Sequence, residues 1–404
     1  MAHPLRWTLF YHRETSRPLA EFLRDNTKLK QYGDDVVIHA LPNTNSNPQF
    51  GLLPYGVRRL LFFGHPDVIL SYYDGIQPER AVFAWEITDA KPATDHWMQR
   101  FTSLVGACET GVPSVFILRF ETITDAWSSK IKSEFFYAYN RVMDIHRIPI
   151  YIANWQSDSA GRLQEDPQYP GIPDRRSTPM VDSIAFFEMV MEYTVHGRDF
   201  RNLPQERLIV ELRDKLVVQI SQIPKPSDYE RLCVADRNGI VDTSSALDYI
   251  KGKVKRELPE IPERIKNRRK SLVFVPRPQI LSRRRRNPKE SLLGRIQKRN
   301  GNPYNGMPLA FDFMFCRLGI TPRERDVNLI IDLSELSFAD FASFHKSIHD
   351  ASPLGSISQP SRRILPKYSL HLTQGYSHEL KDFIRQYCYA ADILVFKDFV
   401  VPFY

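Results

Sequence analysis

His65-Pro66-Asp67-Val68-Ile69-Leu70, a turn at 74–80 (DGIQPER) and then Val82-Phe83-Ala84-Trp85-Glu86-Ile87-Thr88 decide how this chain is read. Both apolar runs are short, rich in Val, Ile and Phe, and bounded by turn residues, the pattern of two strands in a hairpin. Asp67 begins the first strand and Glu86 sits near the polar end of the second, 19 residues later. Neighbouring strands of a hairpin bring such side chains to one face. Two carboxylates held close together repel unless a cation lies between them. Hard oxygen ligands suit Mg2+, which keeps several waters and accepts a phosphate oxygen. Such an ion lowers the pKa of a bound water and neutralises charge as a phosphodiester is attacked. The pair therefore has the chemistry that phosphodiester hydrolysis needs.

Outward from this hairpin, strand and helix patterns alternate. RRLLFFG (58–64), PSVFILRF (113–120) and IPIYIANW (148–155) all read as strands. A helix is predicted over about Asp95 to Thr110, with Trp97, Phe101, Leu104, Val105 and Cys108 at helical spacing, and Gly111-Val112-Pro113 ends it. A second helix, Ser128 to His146, joins the last two strands. Residues 1–50 read as a short strand, a helix from Arg17 to about Lys30 and a loop. After a polar loop at 156–180, helices are predicted at Met180–Val195, entered through Ser177, Thr178 and Pro179, and at Pro204–Ser221. Residues 301–404 hold an aromatic run (LAFDFMFCRL), a strand (VNLIIDL), helical pieces at 338–348 and 376–389, and a closing strand (DILVFKDFVVPF). The expected fold is α/β (α+β): a mixed sheet flanked by helices, plus a second, smaller mixed domain. The expected divisions are a first domain with a helical extension at 1–220, a basic linker or DNA-contacting segment at 221–300, and a C-terminal domain at 301–404 for recognition or dimerisation. No internal repeat is visible.

Composition narrows the class. The chain has 404 residues, 42% of them hydrophobic and 12% aromatic, which is globular composition. It has no apolar run long enough to cross a bilayer, and its first residues (MAHPLRWTLFYHRETSRPL) lack the apolar stretch of a secretory signal. The four cysteines, Cys108, Cys233, Cys316 and Cys388, are widely spaced, which argues against a zinc ribbon or a disulfide framework and for a reducing cytoplasm. The net charge is +8. Residues 251–300 carry 18 Lys and Arg against 4 Glu, +14 in that window, so the rest of the chain is 8 − 14 = −6. That asymmetry is the footprint of a polyanion contact, with a solvated basic linker as the other reading.

The carboxylate segment resembles the PD-(D/E)XK nuclease superfamily, whose core runs strand, turn, strand, helix, strand. Its Pro-Asp opens the first strand, its Asp/Glu-x-Lys lies on the second, and a polar residue often follows on the helix. The matching residues here are Pro66-Asp67, then Glu86-Ile87-Thr88, then Gln99, and the resemblance covers roughly residues 15–155. It implies Asp67 and Glu86 as ligands of Mg2+, and Glu21 in the preceding helix as a further acidic member of the site. Thr88 stands where the family has lysine. Lys91, three residues on, is the candidate replacement. The implied function is a Mg2+-dependent endonuclease of double-stranded DNA, of the type II restriction type, acting as a homodimer because two strands need two sites. The rival readings are a nucleic-acid-binding protein on a decayed nuclease fold, to which Thr88 points, and a nuclease acting on RNA or on a repair intermediate.

Arg283-Arg284-Arg285-Arg286 is the strongest candidate for phosphate contact, since planar guanidinium forks suit phosphate oxygens. Arg175 and Arg176, in the Pro-flanked loop YPGIPDRRSTP, are candidates for reading bases, or else belong to an ordinary helix-entry loop. His65 is a candidate for positioning water or a partly buried histidine, and His96 reads as surface. Asp332 and Glu335, and Asp392 with Lys397, read as strand-end charges. The chain has no GxxxxGK[ST], HExxH or GxSxG motif, so no nucleotide cofactor is expected.

Overall fold

The computed structural model describes residues 5–42, 52–61, 65–89, 100, 103–104, 106–108, 110–120, 133–221, 240–254, 258–274, 327–334, 391–397 and 400–402. The chain divides into two units, residues 1–133 with 142–224 and residues 134–141 with 225–404.

The first unit is built on a six-stranded mixed sheet. Its strands are β1 (Arg6–Tyr11), β2 (Val36–Ala40), β3 (Val68–Tyr73), β4 (Arg80–Thr88), β5 (Ser114–Leu118) and β6 (Ile150–Asn154), in the order β2-β1-β3-β4-β5-β6. β1 and β2 are parallel, β3 runs antiparallel to both β1 and β4, and β4, β5 and β6 are parallel to one another. Helices α1 (Arg17–Asn26), α2 (Tyr55–Leu61), α4 (Thr178–Val195) and α5 (Arg207–Ser221) accompany these strands, and α3 (Ser133–His146) carries residues of both units. The described residues between 100 and 110 are helical, and a turn follows at Gly111.

Buried strands that face helices on both sides read as continuous apolar runs rather than alternating ones, and β3, β4 and β5 do so. One face of the sheet gathers Trp7, Leu9, Leu70, Phe83, Trp85 and Val115 against Phe22 of α1 and Phe186, Phe187 and Val190 of α4. The Phe83 ring meets Phe186 and Phe187 edge-on at 5.2 and 5.1 Å. Each such pair contributes about 0.5–1.5 kcal/mol beyond area burial. The other face carries Phe10, Ile69 and Ala84 against Val57, Leu60 and Leu61 of α2 and Ala107.

The structure differs from the sequence pattern at three places. RRLLFFG reads as a strand, but Arg58 to Leu61 end helix α2. Val57, Leu60 and Leu61 fall at helical spacing, and that stripe, not strand alternation, is what the core takes up. The approach is close: a Cβ on Gly56 would stand 3.0 Å from the backbone nitrogen of Ala81. The edge strand β2 (VVIHA) is not expected from the sequence; it forms by parallel pairing with β1 after the turn at Gly33, whose φ of 51° is left-handed. At the start of α4 the Ser177 hydroxyl donates to the Asp174 carbonyl rather than accepting from the helix.

The second unit holds a five-stranded sheet in the order β11-β10-β9-β8-β7, formed by β7 (Ile240–Asp242), β8 (Lys270–Phe274), β9 (Val327–Leu333), β10 (Ile393–Phe396) and β11 (Val400–Pro402). β8, β9 and β10 are parallel, and the two outer strands run against their neighbours. Helices α6 (Thr243–Val254) and α7 (Glu263–Lys266) supply Ala246, Ile250, Val254 and Ile265 to a core with Val273, Ile330, Ile393 and Val395. The segment expected as a linker at 221–300 therefore contributes four elements of this unit, and Leu272 and Val273 are core of β8. Part of its charge is neutralised inside the fold. Arg264 and Arg268 both pair with Asp392, which is fully buried and also accepts the Leu329 backbone N–H. Lys270 pairs with Asp242, and Lys266 with Glu263. The aromatic run at 309–318 and the helical pieces expected at 338–348 and 376–389 lie outside the described residues. No described helix is long and apolar enough to cross a membrane.

Candidate functional site

The β3–β4 register pairs Val68 with Trp85. Continued by one residue, it sets Asp67 opposite Glu86. Along β4, Phe83 and Trp85 enter the α4 side of the sheet and Ala84 the other, so Glu86 and Thr88, in phase with Ala84, belong to the side that carries Ala107. Both carboxylates thus lie where β3 begins and β4 ends, the same end at which the parallel strands β5 and β6 finish.

Asp67 is held by three elements. Its Oδ1 accepts the Ser16 hydroxyl at 2.8 Å, from the residue just before α1, and its Oδ2 accepts the Ile87 backbone N–H at 2.8 Å. Its carbonyl accepts the His12 backbone N–H at 2.9 Å. Burial pushes its pKa upward; the two hydrogen bonds and the charges of Arg100 and Arg13 pull the other way. The His12 and His65 rings, from the residues flanking this contact, meet tilted by 55° with centroids 4.7 Å apart.

Glu86 is 6% exposed, and its Oε1 lies 3.0 Å from Nε of Arg100. Arg100 is in phase with Leu104, Ala107 and Cys108, all buried, so its side chain leaves the helix on the face turned to the sheet. A buried charge in a protein is normally paired, and here the partner comes from the helix between β4 and β5. The family pattern points to Gln99 instead. The signal for Arg100 is present in the sequence all the same: an arginine in phase with an apolar stripe.

The remaining expected residues are dispersed. Thr88 is buried on the Glu86 side of β4. Lys91, Gln99, His96 and Arg283 to Arg286 lie outside the described residues. Glu21, on α1, is engaged by Arg17 four residues earlier, at 2.9 Å; the contact from the start of α1 to Asp67 is made by Ser16 instead. Arg175 is turned inward. Its Nε and Nη2 clamp the buried Asp166 at 2.6 and 2.8 Å, and Nη1 donates to Asn26 at 3.0 Å. Its guanidinium also lies over the Phe22 and Tyr169 rings. Of the two loop arginines it is Arg176 that faces solvent, 83% exposed in its side chain beside Asp174.

The donor set at Asp67 and Glu86 fits a magnesium ion. Mg2+ is commonly held by one or two carboxylates with water and phosphate completing its shell. Asp67 and Glu86, at the paired end of β3 and β4, could supply two such carboxylates. Among the described residues no three His, Cys, Asp or Glu side chains gather as a metal-binding group, so a cation here would rest on this pair. Compared with family models, with curated proteins and with solved structures, the chain has no match in any of the three.

Proposed function

We propose that the first unit is a Mg2+-dependent endonuclease that hydrolyses phosphodiester bonds of double-stranded DNA, of the type II restriction type. The observation that carries this reading is the 2.8 Å bond from the Ile87 N–H to the Asp67 carboxylate, which ties Asp67 to the residue after Glu86 at the sheet end where β4, β5 and β6 terminate. Ligands of open α/β sheets bind at the carboxyl ends of parallel strands. The order β3, turn, β4, helix, β5 agrees with the strand, turn, strand, helix, strand core that the resemblance implies.

Asp67 and Glu86 would hold the magnesium ion, which when bound supplies water activation and charge neutralisation on the phosphate. The chain's own residues do the rest. Ser16 and the Ile87 N–H fix the Asp67 carboxylate in one orientation. Arg100 and Arg13 place positive charge near it, where a phosphate has to approach. The neutral Thr88 donates no charge to the attacking water, so any basic assistance comes from elsewhere in the site. Action on both DNA strands calls for a homodimer, one site per strand. A second reading, a nucleic-acid-binding protein without cleavage activity, is favoured by Thr88 itself.

Incubation of the full chain with supercoiled plasmid, linear duplex and single-stranded RNA, in Mg2+ and in EDTA, separates the readings. Mg2+-dependent plasmid linearisation with intact RNA is expected. Retardation of duplex without cleavage over a range of Mg2+ and Mn2+ concentrations selects the binding protein, and RNA cleavage with intact plasmid selects a ribonuclease.

A further inference from the structure

Glu86 and Arg100 form an ion pair on the sheet side of the helix. The Glu86 side chain is 8% exposed and that of Arg100 23%, with 3.0 Å between Oε1 and Nε. A pair this deep is hard to break by removing one partner alone, because the other charge is left in a poor solvent. It yields when a second cation takes over the neutralisation. The charge that neutralises Glu86 thus comes from a helix rather than from the neutral Thr88 on the strand.

We propose that Arg100 is an internal counter-ion that competes with the divalent cation for Glu86, and so sets the metal concentration at which the site fills. The inference rests on the reading of Asp67 and Glu86 as a metal site. Its physical basis is linkage. Two cations that draw on the same carboxylate charge repel one another, so each weakens the other's hold by the same factor. A displaced guanidinium remains tethered beside the site, where a phosphate dianion or diester is its natural partner, since the planar fork matches phosphate oxygens.

The test is metal binding by the full chain without nucleic acid, by titration calorimetry with Mn2+ as the probe. Arg100→Gln removes the charge and keeps a hydrogen-bonding side chain. It is expected to bind Mn2+ about tenfold more tightly than the wild type, about 1.4 kcal/mol. Equal or weaker binding overturns the proposal and makes Arg100 a support for Glu86 rather than its competitor. If Arg100→Gln lacks the wild-type circular dichroism spectrum, Arg100→Lys carries the test. A single ammonium holds a carboxylate less well than the fork, so Mn2+ binding about threefold tighter is expected. Binding no tighter than wild type again overturns the proposal. Glu86→Gln separates this from failure of the metal-site reading. If wild type and Arg100→Gln both bind Mn2+ but Glu86→Gln binds equally well, the ion sits elsewhere and that reading fails with the proposal. If Glu86→Gln abolishes binding and Arg100→Gln changes nothing, the site stands and the proposal alone is refuted.

Discussion

Replacing Asp166 with asparagine removes the anchor of the loop at 156–177. The Asp166 side chain is fully buried. Its Oδ1 accepts from Arg175 Nη2 at 2.8 Å and from the Gln168 and Tyr169 backbone N–H groups at 2.9 and 3.2 Å; Oδ2 accepts from Arg175 Nε at 2.6 Å. The Arg175 guanidinium leads the causes that hold this carboxyl well down, at about 2 against an ordinary 3.8. One pKa unit corresponds to about 1.4 kcal/mol, so the ionised form adds about 2 kcal/mol to stability at neutral pH. A carboxyl with a lowered folded pKa gives its full contribution above the unfolded value and loses it as pH falls toward the folded one. The contribution should therefore be complete above about pH 5 and fade between about pH 4 and 2. All five tryptophans precede residue 156, so their fluorescence in urea follows the first unit. Trp155 reports on the loop itself through its Nε1 donation to the Gln164 carbonyl. Asp166→Asn should unfold about 2 kcal/mol more easily at pH 7, with the gap to wild type narrowing by about pH 3. A variant as stable as wild type at neutral pH, or a gap that persists unchanged in acid, refutes the argument.

In the second unit, Asp392→Ala leaves Arg264 and Arg268 without the carboxylate they share, and should cost about 3–5 kcal/mol. Hydrogen exchange should then quicken in the β8 and β9 peptides, while unchanged protection there contradicts the assignment. Replacing Arg283 to Arg286 with Ala should weaken binding to all duplex sequences alike and flatten the salt dependence, by roughly 0.9 in slope for each phosphate no longer neutralised. It should not alter which sequence is preferred, because phosphates carry no base identity; a changed preference would make these arginines base readers.

The central strands are legible because they are buried on both faces, and burial writes itself into the sequence as unbroken Val, Ile, Phe and Trp. The Asp67–Glu86 opposition follows from the hairpin alone. The misreading at 58–61 has the converse cause: a short apolar run carries no period, and tertiary packing in the core with Ala81 and Ala84 decides for a helix. β2 escapes because an edge strand half-exposed to solvent has no continuous apolar signature. Arg175 is invisible as a clamp, since its partners Asp166 and Asn26 lie 9 and 149 residues away. The same applies to the basic window, where Asp392 neutralises Arg264 and Arg268 from far downstream in the chain. Arg100 differs, because its phase with Leu104, Ala107 and Cys108 is readable from the helix pattern.

The metal-dependent cleavage assigned to Asp67 and Glu86 is tested most directly by the rate of plasmid linearisation by wild type, Asp67→Asn and Glu86→Gln in Mg2+, with duplex retardation in EDTA as the control for binding. Cleavage by the wild type is expected, with a loss of at least about a hundredfold in each variant, about 2.7 kcal/mol in the barrier, and unchanged duplex retardation. A wild type that never cuts, or either variant cutting at near wild-type rate, contradicts that assignment.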